Sequence, residues 1–259
     1  KENYKTAALM SIIPLSKEIG VSEATVVRFA NVLGYKGFIE MMNDIKRYIR
    51  RELTTVERFE KYQIENKNVS PTYNVLSNNI EILNRLSLDI SRELVVEIAN
   101  KMSNANRIIV IGFESTAPFA EYFGYHMTRC GKEIKVITER TGALFDVLNF
   151  VKKEDFCISI SFSRHSVKQI SIMKFIKEKG IEIYSITESS KSPAAKHSKY
   201  YTCIPMSNSM MRISSVHVGI LTILQMIMAE YIILDNNEIS KSLNSLEDFN
   251  EFFKTFFQE

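Results

Sequence analysis

Between residues 159 and 166 the chain reads Ser-Ile-Ser-Phe-Ser-Arg-His-Ser and then runs into an amphipathic stretch. Serine hydroxyls, together with the free N–H groups at a helix N-terminus, can hold an oxyanion such as phosphate without a metal. Two other segments share this texture, Gly112-Phe-Glu-Ser-Thr116 and Thr187-Glu-Ser-Ser-Lys-Ser-Pro193. The plainer alternative is that these serines and threonines only cap helices, and residue type leaves both readings open. His126, His165, His197 and His217 have no carboxylate at the spacing of a metal site or a catalytic triad. No catalytic residue, metal or cofactor is therefore assigned, although His165 lies inside the serine loop and could touch a ligand there.

A second group of residues suits another chemistry. The stretch Pro14–Phe38 parses as two helices joined by a short turn. Pro14 suits the first helical position, Gly20 a left-handed helix stop, and Ser22 the N-cap of the second helix. Val26, Phe29, Ala30 and Leu33 recur at i, i+3, i+4, i+7 and form the expected core stripe; Gly34 closes the helix. Ala24, Thr25, Arg28 and Asn31 fall on the opposite face, with Ser22 before them and Lys36 after. Helix, short turn with glycine, helix is how DNA-binding helix-turn-helix modules are built. A small polar face with one arginine suits a major groove lined with donors and acceptors. An ordinary helical hairpin has the same periodicity.

These residues need elements to position them. Ile108–Ile111, Ile134–Ile137, Phe156–Ile160, Ile181–Ile186 and Tyr200–Ile204 are short apolar runs rich in β-branched residues. Helical stretches separate them at Pro118–Cys130, Gly142–Phe150, Val167–Lys179 and Pro193–His197. That alternation predicts an α/β fold, a doubly wound parallel sheet of five strands. The serine loops then lie at the carboxyl ends of strands, where such sheets bind ligands. Ahead of the sheet, helices are expected at Tyr73–Leu86 and Ser91–Met102, and a basic-ended helix from Phe38 to about Leu53. Thr54–Pro71 is polar and aperiodic, which sets the expected domains at 1–53, a linker at 54–72, and 73–259.

Composition agrees with a two-domain globular protein: 259 residues, 45% hydrophobic, 24% charged. Residues 1–51 hold nine Lys or Arg against five Asp or Glu, a net +4, while the whole chain carries +3. A basic head on a near-neutral body fits contacts to phosphates. Cys130, Cys157 and Cys203 are odd in number and lack metal-ligand spacing, and read as reduced thiols of a cytoplasmic protein. The uncharged run Ile213–Ala229 is near the lower limit for a membrane span and reads better as a buried or dimer-interface helix. Leu243, Leu246, Phe249, Phe252, Phe253, Phe256 and Phe257 form an apolar stripe that needs a partner, in the core or in a second subunit. Met206, Met210 and Met211 form a flexible, gap-filling loop.

The stretch I-G-V-S-E-A-T-V-V-R-F-A-N-V-L-G-Y-K-G-F closely resembles the N-terminal domain of the RpiR/MurR family of bacterial transcription regulators, with Ser16 where the family usually has Ala. In that family another helix precedes Pro14, of which residues 1–10 can supply only the end. The order of G-F-E-S-T, I-S-F-S-R-H-S and T-E-S-S-K-S-P resembles the sugar isomerase (SIS) domain, the effector half of the same family. The resemblance implies an operator-binding, non-enzymatic regulator that senses a phosphorylated sugar and works as a homodimer or larger, with no membrane contact. The alternatives are a phosphosugar isomerase with an added helical domain and a regulator with a degenerate ligand site. The phosphate loop of the family carries over to Ser161, Ser163 and Ser166, with Ser115 from the first loop. Glu114 and Arg164 each stand where the family has a glycine. A carboxylate there repels phosphate, an arginine can clamp it, and the two could pair across an empty crevice.

Overall fold

The structure is a computed structural model. It describes residues 7, 10–52, 56–57, 59–60, 63, 70–142, 144–204, 215–234 and 236–254, and at 46–52, 215 and 236–237 the backbone alone. The chain divides into two compact units, Lys1–Val69 and Ser70–Glu259.

In the first unit three helices follow one another: α1 (Ile12–Ile19), α2 (Glu23–Val32) and α3 (Phe38–Glu52). Pro14 is the third residue of α1, not the first, because Ser11 takes the N-cap place. It is still within the turn whose N–H groups have no helical partner. Gly20 ends α1 at φ 72°, with its N–H on the Lys17 carbonyl and that of Val21 on Ser16. Gly34, at φ 89°, ends α2 with the same pair of bonds, from Gly34 to Asn31 and from Tyr35 to Ala30. Both are Schellman stops, and only glycine adopts them without strain. Leu15, Val26, Ala30, Met41 and Met42 form the buried centre. Phe29 and Leu33, expected in that stripe, are instead 57% and 53% exposed. The buried face of α2 is only as wide as Val26 and Ala30, and no described element covers the flank beside it. Ser16 is buried and donates its hydroxyl to the Ile13 carbonyl at 2.9 Å, so the polar atom costs little there.

The stretch expected to be an aperiodic linker is helical at 56–57, 59–60 and 63. Its Glu, Arg, Lys and Gln are good helix formers, and polarity alone does not make a loop. The second unit opens on α4 (Pro71–Asp89), two residues inside the predicted linker, with Ser70 as N-cap and Pro71 in its first turn. Then come α5 (Arg92–Asn104), β1 (Ile108–Gly112), a 3-10 turn (Glu114–Thr116), α6 (Ala117–Arg129), β2 (Ile134–Ile137), α7 (Leu144–Asn149), β3 (Phe156–Ile160), α8 (Val167–Glu178), β4 (Glu182–Thr187), α9 (Pro193–His197), β5 (Tyr200–Cys203), α10 (Ser215–Leu234) and α11 (Asn236–Phe253).

The five strands are all parallel, in the order β2-β1-β3-β4-β5. The central strands are covered on both faces, which is why β1 and β3 are continuous apolar runs, whereas the edge strands β2 and β5 expose Lys135 and Tyr201. One core layer gathers Val110, Ile158, Tyr184 and Ile186 with α4, α5, α6 and α10. The other packs Ile109, Ile111, Cys157 and Ile183 against α8. Helix α10 is long and apolar enough to cross a membrane by length and composition. Here it places Ile220, Ile223, Leu224 and Ile227 in the core against α5 and α4. Met206, Met210, Met211, Phe256 and Phe257 lie outside the described residues.

Candidate functional site

In a sheet of order 2-1-3-4-5 the connections reverse direction between β1 and β3, and a crevice opens at the carboxyl ends of those two strands. The 3-10 turn after β1 and the serine loop after β3 are its walls. Thr116 fastens them together: its hydroxyl lies 2.8 Å from the Phe113 carbonyl and 2.9 Å from that of Ile160, and it accepts from the Phe113 N–H. Gln169, buried in the first turn of α8, donates to the Ile160 carbonyl at 3.0 Å and to Ser159 Oγ at 3.1 Å. Gly112 lets the turn close, because a Cβ there would sit 2.6 Å from the Thr116 carbonyl oxygen.

Within this frame Ser166 caps α8, accepting from the Gln169 N–H at 3.4 Å. For this serine the capping reading holds, and the free N–H groups of the first turn of α8 face the same end. Ser163 is half-buried, Arg164 is exposed, and Ser115 and Glu114 are exposed in the 3-10 turn. Glu114 has φ 54° and Arg164 has φ 65°. Each keeps a left-handed backbone that favours glycine, so the loops hold the shape a glycine would give them while carrying a charged side chain. Among the described residues no ion pair joins the two, so the crevice is not closed by that contact. The Glu114 N–H donates instead to Glu139 Oε2 at 3.0 Å. Lys168, in the first turn of α8, places its ammonium 6.0 Å from the Phe113 ring and so brings a cation to the same rim.

Ser161 behaves differently from its neighbours. It is buried, and its hydroxyl lies 2.8 Å from Nδ1 of His165, whose Nε2 is 3.3 Å from Glu188 Oε1. Glu188 Oε2 accepts from Thr187 Oγ1 at 3.0 Å. Burial pushes the Glu188 carboxyl up. The bonds from His165 and Thr187 and the attraction of the imidazole outweigh that, and hold it below the usual carboxylate range. The histidine that had no carboxylate partner in the sequence thus has one from the loop after β4. Burial raises the thiols of Cys130, Cys157 and Cys203, keeping them protonated.

In the first unit Ser22, Ala24, Thr25, Arg28, Asn31 and Lys36 are all exposed. Ser22 Oγ accepts from the Thr25 N–H at 3.2 Å and lies 2.9 Å from Thr25 Oγ1, so part of its capacity is spent on the cap. Arg28 lies back along its helix, its Nε 3.4 Å from the Ala24 carbonyl. The Lys36 N–H donates to Glu40 at 2.6 Å, which opens α3.

Residues 101–230 match the SIS domain family, and residues 1–52 match the helix-turn-helix domain of the rpiR family. The chain belongs to the RpiR family of transcription regulators. A helix-turn-helix-type transcriptional regulator of Clostridium perfringens is 27% identical over 204 residues, 77% of this chain and 71% of that protein. The sugar isomerase domain of the RpiR transcription factor from Sphaerobacter thermophilus superposes with a TM-score of 0.63 at 21% identity, over 69% of this chain and 98% of that one. The Vibrio vulnificus NanR protein, solved in complex with ManNAc-6P, gives a TM-score of 0.62 at 17% identity over 97% of this chain and 89% of that one. At these identities the likeness is one of fold. This RpiR-family chain thus carries a helix-turn-helix ahead of an SIS domain whose crevice is the one described above.

Proposed function

We propose that this RpiR-family regulator binds a phosphorylated sugar in the crevice between β1 and β3 and an operator through its helix-turn-helix. The observation that carries the effector reading is the serine loop opening α8, where a capped helix N-terminus, Ser161, Ser163 and Ser166 converge. Ser115 completes the cradle from the first loop, with Glu114 and Arg164 at the rim. A phosphate gains there from the helix dipole and from N–H donors. That the NanR neighbour holds ManNAc-6P makes a hexosamine 6-phosphate the first effector to test.

At the other end of the chain, α2 would enter the major groove with Ser22, Ala24, Thr25 and Arg28 near base edges and Asn31 and Lys36 toward the backbone. The head is assigned to 1–53 and the effector domain to the residues from α4 onward. The effector unit leaves Leu243, Phe249, Phe252 and Phe253 exposed along α11, an apolar face that suits a homodimer of this cytoplasmic protein. Two-fold symmetry then pairs two heads with a palindromic site.

A sugar-phosphate isomerase is the second reading, and the His165–Glu188 pair favours it by placing a proton-transferring group in the crevice. Against catalysis, both ring nitrogens are already engaged, by Ser161 and by Glu188, and a general base needs one of them for the substrate. Thermal-shift measurements against phosphorylated sugars, followed by operator gel shifts with the hit, test the proposal. A stabilising sugar phosphate that changes operator affinity supports it, because a ligand selective for the folded state raises apparent stability. Interconversion of an aldose and a ketose phosphate by the pure protein would replace it with the isomerase.

A further inference from the structure

A passive phosphate cradle has no need of a histidine bridging its first serine to a buried carboxylate. The side chains of His165 and Glu188 are 11% and 5% exposed, so their hydrogen bonds must be satisfied within the protein, by one another, by Ser161 and by Thr187. An ionised carboxylate only accepts, so Nε2 of His165 carries a proton whatever the charge on the ring. The charge state changes Nδ1 alone. In the neutral ring Nδ1 is a lone pair and takes the proton of the Ser161 hydroxyl, 2.8 Å away. Ser161 then shows only lone pairs to the crevice, the wrong polarity for an oxyanion. In the imidazolium Nδ1–H donates to Ser161 Oγ, and the hydroxyl proton is free to donate to a phosphate oxygen.

We propose that His165 positions the proton of Ser161, so that an oxyanion effector enters the crevice together with one proton, which the imidazole takes from solvent. The proposal rests on the reading that the loop 161–166 receives a phosphate. Charge acts in the same direction as hydrogen bonding. A neutral ring leaves the ionised Glu188 as a net negative charge below the anion, whereas an imidazolium makes the buried pair neutral. The other titratable and charged groups on the surrounding elements do not replace it. Cys203, at the end of β5, has its thiol raised by burial and by Glu188 and stays neutral. Arg164 and Lys168, on the loop and on α8, are exposed, as are Lys191 on the loop after β4 and Glu114 and Glu139 after β1 and β2.

Sulfate is the probe, because it stays a dianion across the range in which a phosphate monoester itself titrates. Sulfate is titrated into the full-length protein at pH 5.5 and 8.5 and followed at the amides of residues 161–166 and at the imidazole nitrogens. The ring signal of His165 is assigned by its loss in His165→Asn. The inference expects sulfate to bind more tightly at pH 5.5, by up to about tenfold per pH unit, the limit for one linked proton. It also expects sulfate to convert the His165 ring to the imidazolium pattern at a pH where the free protein shows the neutral one. His165→Asn should flatten the pH dependence, and Ser161→Ala should weaken binding and flatten it too. Sulfate binding to the wild-type loop with equal affinity at both pH values, or with an unchanged ring signal, overturns the proton linkage and leaves the anion site standing. No response of the loop to sulfate at either pH overturns both. The wild-type measurements decide even if a variant fails to fold.

Discussion

Glu114 and Arg164 hold φ of 54° and 65°, and replacing either by glycine should stabilise the protein. A residue with a Cβ in the left-handed region carries about 1–2 kcal/mol of steric strain. Glycine removes that strain but gives the unfolded chain more freedom, which returns about 0.4–1 kcal/mol. The net gain is about 0.5–1 kcal/mol for each change. Neither side chain has an ion pair among the described residues, so little is lost with it, and the double variant should gain about twice as much. For a unit spanning Ser70–Glu259, each glycine should raise Tm by about 1–4 °C. Differential scanning calorimetry of Glu114→Gly, Arg164→Gly and the pair measures this. The alanine variants at the same positions are the decisive control, since they remove the charge and keep the strain. If alanine raises Tm as much as glycine does, the gain comes from charge and the backbone argument is refuted. A fall in Tm with glycine refutes it as well.

Three other outcomes follow from the geometry. Gly112→Ala would place a Cβ 2.6 Å from the Thr116 carbonyl and 2.9 Å from Ala120 Cβ, and should destabilise by about 1–3 kcal/mol in urea unfolding; an unchanged midpoint means that the 3-10 turn yields freely. Arg28→Ala, exposed and so neutral for folding, should weaken operator binding in gel shifts by about 1–3 kcal/mol if the guanidinium reaches a base edge; wild-type affinity in a folded variant removes that role. Glu188 has its carboxyl held below the usual range by His165 and Thr187 against the effect of burial. Its stabilising contribution is therefore present above the unfolded pKa and lost as pH falls through the folded one, so Glu188→Gln should flatten the acid limb of a stability-versus-pH curve, and an acid limb identical to wild type counts against the pairing.

The sheet was legible because a strand buried on both faces must be apolar throughout, and residues such as Ile108–Gly112 and Phe156–Ile160 meet that demand without alternation. The two Schellman glycines were legible because backbone geometry at Gly20 and Gly34 restricts residue type so strongly. The flank of α2 was not: periodicity marks Phe29 and Leu33 as apolar, but what covers an apolar face is a property of packing. Residues 56–57, 59–60 and 63 misled in the opposite direction, since charged residues that make a poor core also make good helices.

The same division runs through the site. The serine loop could be proposed from sequence, since its hydroxyls lie close together along the chain. Glu188 did not, because it reaches His165 from the far side of α8, on the loop after the next strand, and spacing rules for metal sites and triads look for neighbours. Glu139 was hidden for the same reason, as it meets the Glu114 amide from the loop after β2. The two lost glycines were visible, but their meaning was not. Sequence comparison alone suggests a damaged cradle, whereas Glu114 and Arg164 adopt the very dihedral region the glycines would have used. What differs is the content of the rim, where a carboxylate, a guanidinium and the nearby ammonium of Lys168 stand on loops that keep a left-handed backbone at 114 and 164. On the proposed reading, peptide groups that hold a phosphate cannot tell one sugar from another, so selectivity would have to come from these side chains and from the Ser161–His165–Glu188 chain.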